Sequence, residues 1–436
     1  MLTCADYHVA WICPVADLEL VPARLMLDET HHPGPTYDTH YDENTYIFGS
    51  INRHAVVIAT CPQGETGNVN AGRLTGSMFK TFRNIRMAVL VGIGGGIPRP
   101  LVSEDSLENV HLGDVVVGWP GDGKPACVYH DRGKVKAGEP FEMVGTMQNP
   151  DWRLTSALSL LVSDHELGRT TFDSQLARLQ HHNDNNNKKK RKNMFAHPGV
   201  EHDRLFKPAY HHNGDYDPMC TACDQSELVQ RPQRTEEDKY TIVFHRGRIA
   251  TGNAVIRDGE LRDEISVRCE GAICVEMEAA GVDVNRQCLV IRGISDYADS
   301  HKSDLWRSYA AGNAAAFARE LLCRVAVSAA PAEPVQEPTM SSGIPSHSGP
   351  TTDNLRSAKH AQAPAPAPQT PRAGSETIVK VPKSSTTWSS AEDDMLLHLV
   401  QTEKVSKWKL VAQHFHRNEW ACQKRYEKLA RCSTDL

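Results

Sequence analysis

Between Tyr7 and about Val327, short β-branched runs alternate with longer segments of helical spacing, which restricts this stretch to an α/β domain built around a sheet. The pattern predicts buried strands at His8–Cys13, His54–Thr60, Met87–Ile93, Asp114–Val117 and Gln287–Ile291. Helices are predicted at Leu18–Leu27, Asn70–Phe82, Asp151–Ser163, Glu276–Asn285 and Lys302–Val325, several of them rich in Ala and Leu. The alternation stops at Ala329. From there to about Thr386, Pro, Ser, Thr, Ala and Gly dominate, and APAPAP at 363–368 favours extended polyproline-type chain that does not pack.

A chain of 436 residues is expected to hold two or three domains at roughly 150 residues each. The expected organisation is a sheet domain over 1–327, a disordered linker over 328–386 and a small helical domain over 387–431. Around Gln180–Arg191 the sequence HHNDNNNKKKR is too polar to bury, so an exposed insertion is expected at about 170–240. With 48 Lys and Arg against 54 Asp and Glu, the formal charge is -6, so no chain-wide basic field is available to hold nucleic acid. The 12 cysteines are scattered and no apolar run approaches about 18 residues. These features predict an intracellular, thiol-reducing setting without a membrane span.

Met87 to Pro98 reads MAVLVGIGGGIP, an apolar strand running into a glycine cluster where bare backbone amides approach an anion or a sugar. Pro98 and Pro100 block the helix that would receive a dinucleotide pyrophosphate. By itself the cluster is equally a tight bend. Two further segments add chemistry. CVEMEAAG, from Cys274 to Gly281, places two carboxylates two residues apart at a strand-to-helix transition. RGISDYA, from Arg292 to Ala298, puts Asp296 just past a buried strand.

Together these motifs resemble the nucleoside phosphorylase and nucleosidase superfamily over about residues 7–325, most closely its fungal-type purine and uridine phosphorylase-like branch. LGDVVV from Leu112, YHDRGK from Tyr129 and HRGRIATGN from His245 to Asn253 extend the resemblance. It implies a mixed-sheet, three-layer α/β domain that cleaves the N-glycosidic bond of nucleosides. That reaction passes through an oxocarbenium-like state, so the protein must neutralise a leaving base and hold the sugar. By the resemblance, Glu278 accepts hydrogen bonds from the ribose 2′ and 3′ hydroxyls, Met277 packs on the sugar, and Gly94, Gly95 and Asn253 line the substrate site. Asp296 protonates the purine at N7, its acidity weakened by apolar neighbours such as Ile294 and Tyr297. Glu276 is expected to anchor the turn.

The attacking group is read from two positions. Phosphorolytic relatives carry a phosphate-binding Arg where this chain has Leu90, while Glu19 stands in the first helix where hydrolytic relatives activate water. Asn253 stands where those relatives often place an Asp, and Pro14–Leu18 is one residue longer than their pattern. Hydrolysis is expected, with phosphate-dependent cleavage the alternative; no cofactor is required, and phosphate enters only as a co-substrate. A nucleoside-sensing chromatin adaptor that binds without turnover is the rival from another class.

Cys220-x-x-Cys223 follows His211 and His212, and Cys220, Cys223 and His212 form a zinc ligand set by residue type; a pair of free thiols in a loop is the alternative. Lys188–Lys192, five consecutive cations, is either a solvated loop or a nuclear import or phosphate-binding patch. Trp388, Trp408 and Tyr426, spaced by 20 and 18 residues, resemble the aromatic core of a single Myb/SANT repeat, a three-helix all-α domain. The resemblance implies DNA contacts by Lys424, Lys428 and Arg431 from its third helix; a protein-interaction module is the alternative. The expected partners are a nucleoside, DNA or a chromatin protein, and further copies of the chain through the enzyme domain. The nucleus is the expected location, otherwise the cytoplasm.

Overall fold

The computed structural model describes residues 2–327, apart from 122, 145–146, 186–193, 216, 236–237 and 239–240, together with residues 396, 422 and 425–426. The chain divides into two compact units, Met1–Glu337 and Pro338–Leu436. In the second unit Leu396 and Cys422 are helical and buried, and Arg425 and Tyr426 are helical and half-buried. The segment 328–386, Lys188–Lys192, Lys424, Lys428 and Arg431 lie outside the described residues.

In chain order the first unit runs β1 (Val9–Ile12), α1 (Ala16–Leu25), β2 (Glu29–Thr30), β3 (Ile47–Ile51), β4 (His54–Ala59), α2 (Asn68–Thr81), β5 (Met87–Gly96) and β6 (Val115–Gly118). It continues with β7 (Cys127–Tyr129), β8 (Gly133–Lys134), β9 (Glu142–Met143), α3 (Trp152–Glu166), α4 (Phe172–Asn185) and β10 (Phe244–Thr251). The last elements are α5 (Gly259–Arg268), β11 (Ala272–Glu276), α6 (Ala279–Asp283), β12 (Leu289–Asp296) and α7 (Arg307–Leu322). Among the described residues ten strands form one mixed sheet in the order β11-β10-β6-β12-β5-β1-β4-β3-β2, with β7 added to β10. The central pairs β4–β1, β1–β5 and β5–β12 are parallel, whereas β12–β6 and β3–β4 are antiparallel.

The central strands are buried on both faces, as parallel strands covered by helices must be. Along β1, Val9 and Trp11 join one apolar cluster with Ala23 of α1, Leu158 of α3 and Phe317 of α7. Ala10 and Ile12 point the other way, into a second cluster with Leu74 and Met78 of α2 and Val282 of α6. Alternation along one strand therefore produces the helix, sheet, helix layering. Burying the Phe317 ring alone contributes about 2–3 kcal/mol.

One closure positions everything that follows. β11 pairs in parallel with β10 and also, antiparallel, with the end of β5 through Cys274↔Gly96 and Val275↔Gly95. The strands β5, β12, β6, β10 and β11 thus make a ring, and the carboxyl ends of β5, β11 and β12 meet on one side. In α/β sheets that is where ligands bind.

The structure corrects several expectations. The glycine cluster is neither a turn nor a bend: β5 continues through Gly96, and Gly92, Gly94, Gly95 and Gly96 have no positive φ. The helix expected at 276–285 starts only at Ala279, because Glu276 closes β11. The helix expected from Lys302 begins at Arg307, after an irregular segment. The segment 170–240 is not an exposed insertion throughout. Phe172 and Leu179 of α4 sit in the first core cluster, since α4 has apolar residues at helical spacing ahead of its polar end. β3 and β10 fall outside the expected strands.

Candidate active site

A cleft of about 200 Å³ opens at the meeting of the three strand ends. Gly94 and Gly95 come from β5, Glu276 from β11, Met277 and Glu278 from the turn that follows it, and Ser295 and Asp296 from β12. Ala254–Ile256, Lys302 and Arg307 complete its walls.

Behind the glycine strand lies a buried charge cluster centred on Arg292, which is fully buried in β12. Its Nη2 donates to Glu276 and, at 3.1 Å, to Glu278, while Nη1 stands 4.0 Å from Glu19. Glu276 also accepts from the backbone N–H groups of Glu278 and Ala279, both at 3.1 Å, so it anchors the turn. Glu278 accepts from Gly67 N–H at 3.1 Å. Burial raises its pKa, Arg292 opposes the rise, and Glu276 adds to it.

Glu19 sits in the first turn of α1 and points inward despite the lengthened Pro14–Leu18 stretch. It accepts from Val15 N–H at 2.8 Å and from Ile93 N–H at 2.9 Å. Burial pushes its pKa up to about 7; Arg292 opposes this, Glu278 reinforces it, and the two N–H groups lower it. A carboxyl poised there is matched to general-base work near neutral pH.

The glycines are there for close approach. A Cβ on Gly92 would overlap the Glu19 carboxylate and stand 2.5 Å from Arg292 Nη1; on Gly94 it would lie 2.7 Å from Cys274 Sγ. Gly92→Ala is therefore expected to cost about 1–3 kcal/mol in a denaturant titration. An unchanged unfolding midpoint would show that Glu19 and Arg292 are not packed against this strand.

Asp296 is buried at the opposite side of the same strand end, its Oδ1 accepting Ala298 N–H at 3.0 Å. Its Oδ2 accepts from Ser295 Oγ at 2.7 Å and pairs with the Lys302 ammonium. The expected apolar surround is thus corrected: the Tyr297 hydroxyl turns away, donating to Asp203 at 2.6 Å. Asp203 is held down to about 2 although burial opposes it, because Arg231 and His111 also pair with it. Asn253 is exposed and tied to Tyr129 Oη at 2.7 Å and Asp131 at 3.1 Å, beside the Ala254–Ile256 wall. Leu90 is fully buried in the second core cluster and offers no group to the cleft.

Two groups escaped the sequence reading. Arg292 carries no expected role in the sequence motif around it, although a lone Arg inside an apolar strand is itself a signal of buried pairing. Lys302 looked like the start of a helix, and only the loop after β12 carries it back to Asp296.

The mixed α/β sheet and its strand-end cleft invite comparison with known proteins. A nucleotide-binding leucine-rich repeat (NLR)-like protein of Hyaloscypha variabilis is 36% identical over 318 residues, 73% of this chain; the chain spans 29% of that relative's length. Among solved structures, the 5′-methylthioadenosine/S-adenosylhomocysteine nucleosidase of Neisseria meningitidis aligns over 72% of this chain and 98% of its own, at 18% identity and a TM-score of 0.42. Futalosine hydrolase of Helicobacter pylori aligns over 73% and 97%, at 16% identity and a TM-score of 0.42. Residues 388–435 match the Myb-like DNA-binding domain family.

Proposed function

We propose that residues 1–327 cleave the N-glycosidic bond of a nucleoside, preferentially a purine nucleoside, with water as the acceptor. The observation that carries this reading is the convergence of Glu276, Glu278 and Asp296 on one cleft, with Glu19 buried beside it and held by the Ile93 N–H of the glycine strand. Glu19 takes a proton from water as it attacks C1′. Glu278 accepts hydrogen bonds from the ribose hydroxyls, and Met277 packs against the sugar. The Asp296–Lys302 pair delivers a proton to N7, so the base leaves neutral.

The test is a panel of nucleosides incubated with the full chain, with and without inorganic phosphate, following free base and sugar. Free base and ribose without phosphate are expected; no base release from any nucleoside would end the reading. Lys302 and Arg307 both face the cleft, and they favour phosphate as acceptor as the second reading. Strict phosphate dependence with ribose 1-phosphate as product would establish it instead. Glu278→Gln should impair cleavage of ribonucleosides more than of 2′-deoxynucleosides, and equal losses would remove the 2′ contact.

For the second unit, we propose DNA binding through Lys424, Lys428 and Arg431, supported by the family match over 388–435. Replacing all three by Ala should reduce the slope of log affinity against log salt by about 2–3. An unchanged slope would point to a protein partner. The same domain and the Lys188–Lys192 run support a nuclear location as part of this proposal, and a cytoplasmic fluorescent fusion would overturn it.

A further inference from the structure

The segment from His197 to Arg234 is almost without regular structure. Among its described residues it holds two single 3-10 turns and one isolated bridge, Phe206↔Leu228. A small apolar cluster of Phe206, Cys220 and Cys223 and the Asp203–Arg231 pair hold it in place of regular structure. Within it, Cys220 and Cys223 are buried free thiols, and their Sγ atoms and one ring nitrogen of His212 all lie within 4.8 Å of one another. The turn is built for this convergence. Cys220 takes a positive φ of 46°, and Cys223 N–H donates to Cys220 C=O at 3.1 Å, turning both sulfurs the same way. Asp217 braces the turn, accepting from Met219 N–H at 2.8 Å and Thr221 N–H at 2.7 Å.

His301 stands beside these three groups, outside their 4.8 Å convergence. His301 has both ring nitrogens buried and without a hydrogen-bond partner. Its ring is centred 5.5 Å from that of His212, near the roughly 5 Å expected for two imidazoles at Zn–N distances of about 2.0 Å on one tetrahedral ion.

We propose that Cys220, Cys223, His212 and His301 bind one structural Zn²⁺. Two soft thiolates and two imidazoles form a closed tetrahedral set of the kind zinc takes in structural sites, and they leave no open position for catalysis. Zinc binding displaces the thiol protons to solvent and involves no change of oxidation state. The ion joins the 197–234 segment to the loop after β12, where His212 N–H already donates to Ser300 Oγ at 2.9 Å. Its role is to order that segment, and the proposal does not depend on the nucleosidase reading.

The full chain, refilled with Zn²⁺ and desalted, is expected to carry one zinc per chain by elemental analysis. Mercurial titration of the thiols should release it, and Co²⁺ substitution should produce thiolate charge-transfer absorption. Stripping zinc should open Arg204 and Lys207 to trypsin. Cys220→Ser combined with Cys223→Ser should abolish binding, and His301→Gln should weaken it at least tenfold. Zinc clearly below one per chain in the wild type, or retained by the double Ser variant, overturns the site; unchanged affinity in His301→Gln removes that ligand. If the double variant misfolds, stoichiometry, cobalt absorption and mercurial release in the wild type still decide.

Discussion

Glu19→Gln is expected to lower turnover by about 10²–10⁴-fold while leaving nucleoside binding close to normal, since the amide keeps the shape but cannot take a proton from water. The wild type supplies a second, independent signature. With its pKa raised to about 7, Glu19 is increasingly protonated as pH falls below that value, and the protonated form cannot act as base. Turnover should therefore fall about tenfold per pH unit on the acid side of 7, and this limb should be absent from the Gln variant. A flat wild-type profile between pH 5 and 7, checked by stopped assays of base release with about one measurement per half unit, would remove Glu19 from the reaction.

Arg292→Met is expected to destabilise the first unit by about 3–5 kcal/mol, because it strands Glu276 and Glu278, and to a lesser degree Glu19, as buried carboxylates without a cation. Glu19 and Glu278 already titrate above their ordinary range in the folded chain. The folded state therefore binds more protons than the unfolded chain between the ordinary carboxylate range and about pH 7, and stability falls as pH rises through that window. Loss of Arg292 raises the folded-state values further and steepens this fall. The deficit, read from urea titrations followed by tryptophan fluorescence, should thus be larger at pH 8 than at pH 5. Arg292→Lys should not restore it, because one ammonium cannot reproduce the fork that reaches Glu276 and Glu278 together. A loss below about 1 kcal/mol at pH 8 would contradict the buried network.

The carboxylates of the cleft were legible because their motifs are short and local: Glu276 and Glu278 sit in one turn, and Asp296 ends one strand. Their environments were not. Asp296 has an apolar neighbourhood in sequence but three hydrogen-bond donors in space, two of them from residues beyond it in the chain. The glycine cluster shows the same limit. Glycine in sequence signals either a turn or a close approach, and only the neighbours that crowd Gly92, Gly94 and Gly95 show that these serve the second purpose.

Periodicity alone determined the α/β class and the five anticipated strands, because the alternation of apolar residues is set over a few neighbours and survives without knowledge of the fold. The site depended on contacts of long sequence separation. Ile93 N–H meets a carboxylate 74 residues earlier, and Gly67 N–H meets one 211 residues later. The first meeting exists because β1 pairs with β5 and delivers α1 to its end, the second because β11 pairs with β5 as well as β10, closing the ring that draws three strand ends together. Register and closure depend on which strands pair, a property of the whole sheet. Local hydrophobic pattern carries no record of it.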